Sequence, residues 1–229
     1  MNTFHLMFAP MEGQSDPALR EQCYNNGATS TFTEMARVAA LVRNNKSTWE
    51  KIDIPKEIPT YIQISVVNEN NLARFLHKFE PQPGFLGFNL NLGCPSPKVI
   101  QKGLGCALLK RTAKVQRLIK IIQQHGYSAS IKMRLGLNQF EKEKKVYLNL
   151  INAVDADFFI VHARHGMERD KDAPDWSVYK ECVATGKNII ANGDITTKEQ
   201  ITELRAIGCK GAMIGRAAVE DPTIFARLK

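Results

Sequence analysis

Asn188-Ile189-Ile190-Ala191, then Asn192-Gly193-Asp194-Ile195-Thr196-Thr197, then Lys198–Ile207, Gly208 and Ala212-Met213-Ile214, reads as one strand–helix–strand unit. The first run is short and β-branched, as a buried parallel strand requires. Thr196 or Thr197 can cap the helix that starts near Lys198, and Gly208 follows its end where a left-handed residue is wanted. The same alternation extends outward along the whole chain. Strands are expected at Phe4–Ala9, Thr29–Thr33, Thr60–Ser65, Phe85–Leu90, Ala129–Arg134, Phe158–His162, Asn188–Ala191 and Ala212–Ile214. Segments of helical period lie between and after them, at Asp16–Asn26, Met35–Asn44, Glu69–Phe79, Thr112–His125, Phe140–Val154, Trp176–Thr185, Lys198–Ile207 and Val219–Leu228. Asp16-Pro17 reads as an N-cap with proline at the first helical position, and Gly27 and Gly126 sit just past their helices.

Strict βα alternation implies parallel strands joined by right-handed crossovers. Eight such units close a (β/α)8 TIM barrel, and 229 residues lie near the lower limit for that α/β fold. A doubly wound open sheet would announce itself with a glycine-rich turn after the first strand, and Ala9-Pro10-Met11-Glu12-Gly13 is not that motif. With no linker or low-complexity stretch, residues 1–229 are expected to form a single domain.

Composition sets the class. Hydrophobic residues at 44% and charged residues at 24% describe an ordinary globular chain, which at this length buries a core without disulfides or a structural metal. Five cysteines, Cys23, Cys94, Cys106, Cys182 and Cys209, lie far apart with no Cys-x-x-Cys pair. They suggest reduced thiols in a cytoplasmic protein and no metal site. Met1–Pro10 lacks a charged n-region and reaches a proline before any long apolar run, so neither a signal peptide nor a membrane span is expected. The net charge of +8 favours polyanionic partners. Between Ser96 and Lys120 the chain carries Lys98, Lys102, Lys110, Arg111, Lys114, Arg117 and Lys120 and no acidic residue, a one-sign run that points first to nucleic acid. For Arg117 and Lys120 a solvated helix face accounts for the charge equally well.

In such a barrel, chemistry sits at the C-terminal ends of the strands. Those ends read Pro10-Met11, Glu34-Met35, Gln63, Asn91 with Cys94, Lys132 with Arg134, His162 with Arg164, Asn192-Gly193-Asp194 and Gly215-Arg216. Nearly every unit ends in a group that hydrogen-bonds or carries charge, the mark of a ligand site.

Read in order, Ala9-Pro10-Met11, Thr33-Glu34-Met35, Asn91-Leu92-Gly93-Cys94-Pro95, Gly103-Leu104-Gly105-Cys106-Ala107-Leu108-Leu109, Lys132-Met133-Arg134-Leu135-Gly136, Val161-His162-Ala163-Arg164, Asn192-Gly193-Asp194-Ile195 and Ile214-Gly215-Arg216-Ala217-Ala218 resemble the tRNA-dihydrouridine synthase pattern across almost the whole chain. The resemblance implies FMN at the barrel mouth and reduction of a uracil ring in tRNA with electrons from NADPH. It implies that Ala9, Pro10 and Met11 line the isoalloxazine and that Gln63 and Lys132 bond its polar edge. His162 would stand at the ribityl or phosphate side. Asn192, Gly193, Asp194, Gly215 and Arg216 would form the phosphate end, using loop amides, a guanidinium fork and the start of the last helix. Asn91 would bond the uracil edge, Arg134 and Arg164 would orient the base or its phosphate, and Lys98 and Lys102 would meet the RNA backbone.

Hydride addition at uracil C6 leaves C5 needing a proton from the opposite face, and a half-exposed thiol can supply it. Cys94, in a Gly-Cys-Pro turn after a strand, suits that role. Cys106, in a glycine-flanked loop on the same face, is the rival thiol, and the position within Asn-x-Gly-Cys-Pro favours Cys94. Cys23, Cys182 and Cys209 look like small buried hydrophobes.

Two features depart from the family pattern. After Gln63 the chain reads Ile64-Ser65-Val66 where an apolar–glycine step is usual, which alters the third loop. Bacterial members carry a helical C-terminal domain that helps hold tRNA, whereas this sequence ends at Lys229, just after the eighth helix, so no such domain is expected. A monomer is expected. Two rival functions remain: a flavin reductase of a free pyrimidine, like the dihydroorotate dehydrogenases, and a non-catalytic RNA-binding barrel. The first does not match the Gly-Cys-Pro and His-x-Arg pair together, and the second has no use for Cys94, Lys132, His162 and Arg164.

Overall fold

The computed structural model describes residues 4–229, the side chain at position 56 apart, so the first three residues of the Met1–Pro10 segment lie outside the described residues. Its strands are β1 (His5–Phe8), β2 (Thr31–Phe32), β3 (Ala36–Arg37), β4 (Thr60–Ser65), β5 (Phe85–Leu92), β6 (Ala129–Met133), β7 (Phe159–His162), β8 (Ile189–Asn192) and β9 (Gly211–Ile214). All pair in parallel in the order β1-β9-β8-β7-β6-β5-β4-β2, with β3 also on β4. β2 and β3 are therefore two pieces of one barrel strand, and there are eight barrel positions. A bridge between Met7 and Ser30 closes the ring, with Phe8 N donating to Ser30 O at 3.0 Å and Thr29 N to Leu6 O at 2.7 Å. The fold is a (β/α)8 barrel. Among the described residues no helix is long and apolar enough to cross a membrane.

The helix expected at Lys198–Ile207 forms as α10, closed by a capping box between Thr197 and Gln200 and ended by Gly208 at φ 103°. Taking the other helices in order, α1 (Pro17–Asn25) is capped by Asp16, while α4 (Glu69–Lys78) and α6 (Thr112–Gln124) match their expected positions.

Three expected helices are broken. In Met35–Asn44 the strand resumes at Ala36–Arg37 beside Ile64 and Ser65, leaving only α2 (Val38–Leu41). Asn44 then turns left-handed, and Asn45 caps the unforeseen α3 (Lys46–Glu50). Phe140–Val154 divides into α7 (Gln139–Glu143) and α8 (Val146–Ala153) at Lys145, whose φ is 51°. There the Lys145 ammonium meets Glu181 at 2.5 Å, and Tyr147 donates to the same carboxylate. Val219–Leu228 becomes α11 (Arg216–Glu220) and α12 (Ile224–Leu228), interrupted at Asp221-Pro222 because proline removes a helix donor. Two short turns after β5 were not foreseen: α5 (Pro97–Ile100) and a 3-10 turn at Gly105–Leu108. α9 (Val178–Ala184) starts two residues later than expected because Asp175 accepts from Ser177 and forms a separate turn.

Two apolar cores follow from the two faces of the strands. The larger lies between sheet and helices; around Phe88, fully buried, the rings of Phe75, Phe79, Phe85 and Tyr127 lie with centroids 5.0–5.7 Å away. The smaller joins Met7, Ala9, Phe32, Phe158, Ile160, Ile190 and Met213 inside the ring. Because alternate residues of a strand face the same way, that inward parity continues to Ala9, Gln63, Asn91, Lys132, His162, Asn192 and Gly215 at the mouth. Replacing Phe88 by Ala empties the centre of the aromatic cluster and should cost about 3–5 kcal/mol in urea unfolding, with the barrel otherwise intact. A loss below about 1 kcal/mol would refute the placement of Phe88 at the heart of this core.

Candidate active site

The strand ends enclose a cavity of about 760 Å³, within the range of small-molecule sites. Ala9, Pro10 and Met11 line one wall, Gln63, Asn91 and Cys94 another, Lys132, Arg134 and His162 a third, and Asn192, Gly193, Asp194, Gly215 and Arg216 the last. These strand-end residues, far apart in sequence, thus share one site. Arg164, Lys98 and Lys102 are not on its walls.

On the second wall, Asn91 Oδ1 accepts from the Gly93 and Cys94 amides at 3.3 and 3.0 Å, folding the turn that carries the thiol. Asn91 Nδ2 donates to Gln63 Oε1 at 2.8 Å. Cys94 is half-buried, and its carbonyl accepts from Cys106 N at 3.1 Å. Gly105 makes that contact possible: its φ is +59°, and a Cβ there would lie 2.3 Å from the Cys94 oxygen. Cys106 is fully buried, and burial pushes its thiol up to about 12, so it is a protonated core residue. Cys23, Cys182 and Cys209 are buried as well.

The third wall is cationic. Lys132 makes no ion pair or hydrogen bond among the described residues. Burial, with Arg134 nearby, pulls its ammonium down to about 8. Arg134 donates to His165 O at 2.7 Å and Glu168 O at 3.2 Å, stitching the loop after β7 to that after β6. His162 is held neutral, pushed down to about 2 by burial and by Lys132, Arg134, Arg164 and Arg216. Its Nε2 faces the Arg164 guanidinium at 3.3 Å. A guanidinium only donates, so Nε2 is the acceptor and Nδ1 carries the proton.

Arg164, expected to touch substrate, is 1% exposed. Its amide turns back onto His162 O at 2.7 Å, which ends the strand's alternation and sends the side chain under the loop. There it donates to Asp172 O at 2.6 Å and grips the Asp194 carboxylate. Asp194, expected at the phosphate end, is likewise engaged. Burial would raise its carboxyl, but Arg164 and Arg216 hold it below the usual range. Arg216 reaches Asp194 at 2.5 Å and Asp170 at 2.9 Å. The expected helix start at this end is only the five-residue α11, so Arg216 and the loop backbone are what the site offers. The Gly193 loop is fixed by Trp176 Nε1 donating to Gly193 O at 3.1 Å, and Asn192 Nδ2 bonds Met213 O at 2.9 Å.

Lys98 and Lys102 stand exposed on α5 and the turn after it, beside Ser96 and Val99 on the cavity rim. Arg111 lies against Gly103 in the same turn. Lys110 pairs with Glu141, and Arg117 pairs with Glu69 at the start of α4.

A family model described as "Dihydrouridine synthase (Dus)" matches residues 7–229. The chain belongs to the dihydrouridine synthase family. Membership makes it an enzyme, a flavin-dependent oxidoreductase. Among relatives of this synthase, a probable tRNA-dihydrouridine synthase of Helicobacter pylori is 31% identical, over 98% of this chain and 70% of the relative. One from Aquifex aeolicus is 26% identical over 98% and 72%, and tRNA-dihydrouridine synthase B of Pseudomonas putida is 28% identical over 98% and 68%. Of solved structures, nitroalkane oxidase from Streptomyces ansochromogenes superposes with a TM-score of 0.55 at 14% identity, covering 94% of this chain and 66% of that one. An active mutant of (S)-mandelate dehydrogenase gives 0.55 at 14%, covering 97% and 71%. Those two likenesses concern the barrel alone.

Sequence reasoning did not single out Glu12, Arg37, Ser96, Thr196 or Glu220, which also line the cavity. Arg37 lies on the strand fragment β3, where a helix is expected, and Glu220 ends the short helix α11; Glu12, Ser96 and Thr196 lie in loops or at helix starts, where no periodicity marks direction.

Lys132 yields a stability test. Its native pKa of about 8 lies below that of a free lysine, so between about pH 8 and 10.5 the unfolded chain holds a proton the folded one has lost. Stability therefore rises with pH through that window, and the burial cost is fully present below it. Lys132→Met should raise the stability of the ligand-free protein by about 1–3 kcal/mol at pH 7, with the gain shrinking above about pH 8. Denaturant titrations at several pH values measure this; a less stable Lys132→Met would contradict an unpaired cation.

Proposed function

We propose that this barrel reduces a uridine of tRNA to 5,6-dihydrouridine with FMN as its flavin and NADPH as electron donor. The observation that carries the reading is a half-exposed thiol, Cys94, and an ammonium, Lys132, unpaired among the described residues, on walls of one cavity. The donor set fits a flavin mononucleotide: Ala9, Pro10 and Met11 offer a flat edge, and Gln63 and Lys132 offer hydrogen-bond donors. Arg216 and the Gly193 and Gly215 backbones would hold the phosphate. His162 would donate through Nδ1, and Asn192 would shape its loop. Asp194 and Arg164 act one step back, aiming Arg216 and His162.

When bound and reduced, the flavin supplies the hydride for uracil C6. Asn91 and Arg134 orient the base, and Cys94 Sγ gives its proton to C5, leaving a thiolate that water reprotonates. A cationic wall favours the charge that develops on the ring carbonyl and on the cofactor. Lys98 and Lys102 would meet phosphates of the RNA approaching the Cys94 turn.

Two experiments test the reading. With Cys94→Ala, FMN should still bind and be reduced by NADPH, while reoxidation by tRNA slows by ~10²-fold or more, against a few-fold for Cys106→Ala. Stopped-flow flavin absorbance separates the half-reactions; parental reoxidation of Cys94→Ala would remove the chemical centre of the proposal. Lys98→Glu with Lys102→Glu should weaken tRNA binding and flatten its log–log salt dependence by roughly 2, without loss of flavin. An unchanged slope would place the RNA elsewhere.

A further inference from the structure

Four buried or half-buried side chains form a continuous polar line from the barrel interior to the Cys94 turn. Ser130 Oγ donates to Phe88 O at 3.4 Å and accepts from Asn89 Nδ2 at 2.9 Å. Asn89 Oδ1 accepts from Gln63 Nε2 at 2.9 Å, Gln63 Oε1 accepts from Asn91 Nδ2 at 2.8 Å, and Asn91 Oδ1 accepts from the Gly93 and Cys94 amides. An amide side chain reads almost alike in either orientation, so its direction has to come from a neighbour with only one role. Backbone N–H groups only donate. They therefore fix Asn91 with oxygen toward the turn, Asn91 fixes Gln63, and Gln63 fixes Asn89. Turning Gln63 or Asn91 would set donor against donor and acceptor against acceptor on its two sides, and turning Asn89 would set donor against donor at Gln63.

Gln63, Asn91 and Cys94 line the cavity; Asn89 and Ser130 do not, and both are fully buried. We propose that Asn89 is a positioning residue for the reaction: by accepting from Gln63 Nε2 in the Ser130–Asn89–Gln63–Asn91 line, it keeps Gln63 seated against Asn91, and so supports the atoms the cavity wall presents and the place of the Cys94 turn. The inference rests on the reduction proposed above. It assigns a task to a residue of β5, the fourth barrel position, that touches neither substrate nor flavin.

The test uses the full chain with flavin bound and three readouts: thermal midpoint, alkylation of Cys94 by iodoacetamide followed by peptide mass, and reoxidation of reduced flavin by tRNA. Asn89→Leu keeps the size and removes the polarity. It should change the Cys94 alkylation rate by about threefold or more as Gln63 and Asn91, which tethers the turn, lose their support. It should also slow tRNA-dependent reoxidation by about tenfold or more. Asn89→Asp still offers an acceptor to Gln63, and the Ser130 hydroxyl can rotate to donate to its second oxygen. Both rates should then stay within about twofold of the parent, rescue that simple packing would not require.

If Asn89→Leu lowers the thermal midpoint but leaves both rates unchanged, Asn89 is structural only and the proposal fails. It fails equally if Asn89→Asp is as impaired as Asn89→Leu. Should Asn89→Leu not fold, Asn89→Ala replaces it with the same expectations. Alkylation needs no substrate, so a parent protein inert toward tRNA would overturn the proposed function while the alkylation arm still decides this one.

Discussion

Closing eight parallel strand positions into a ring forces alternate residues inward, and the remainder of this structure depends on that constraint. Outward residues meet helices and are almost wholly apolar. Inward residues have only one another and, at the top, the cavity. Here the interior is divided by chemistry. The side built from β7, β8, β9, β1 and β2 is filled by Ile160, Phe158, Ile190, Met213, Met7 and Phe32, whereas β4, β5 and β6 contribute Gln63, Asn89 and Ser130. A polar residue buried in a barrel is tolerable only when its partners are fixed. The apolar half supplies a rigid wall, and the polar half supplies a wall whose hydrogen bonds have defined direction.

The same constraint explains how much of the molecule was legible in advance. Period-two runs such as Thr60–Ser65 and Phe85–Leu90 mark strands, and the parity of their inward residues continues directly onto Gln63 and Asn91. Once eight units are counted, the cavity is nearly written. Helices that lie flat on the sheet were legible for a related reason: α10 carries its own capping box and terminal glycine. What was not legible are the segments whose shape is set by partners distant in sequence. Lys145 breaks a helix beside Glu181, and Ala36 becomes a strand because Ile64 is next to it. Neither partner is visible from local pattern.

Arg164 shows the limit most sharply. Its position, two after His162, has inward parity, and a guanidinium at the mouth of a cationic site naturally suggests contact with an anion. The turn of its amide onto His162 O ends the alternation there. The side chain is then consumed by Asp194 and Asp172 on the loops it joins and by His162 at the end of β7. Asp194 illustrates the converse: a carboxylate at the end of the cavity proposed for phosphate makes sense once it is seen to hold Arg216.

That contrast between paired and unpaired cations orders the site. Arg164 and Arg216 are bonded to carboxylates, and Arg134 donates to two loop carbonyls; each is thereby fixed in direction at the cost of part of its field. Lys132 has no ion pair or hydrogen bond among the described residues, in a place where desolvation disfavours its charge. A half-buried ammonium with no carboxylate beside it is less favourable than a paired one, and an arriving anion would offset that cost. The arginines therefore serve shape, holding loops and one another, while the lysine retains its electrostatic potential for a ligand. Gain on binding is largest where a charge is least compensated in the empty site, so an ammonium left without a carboxylate has more to give than a paired guanidinium when charge develops beside it.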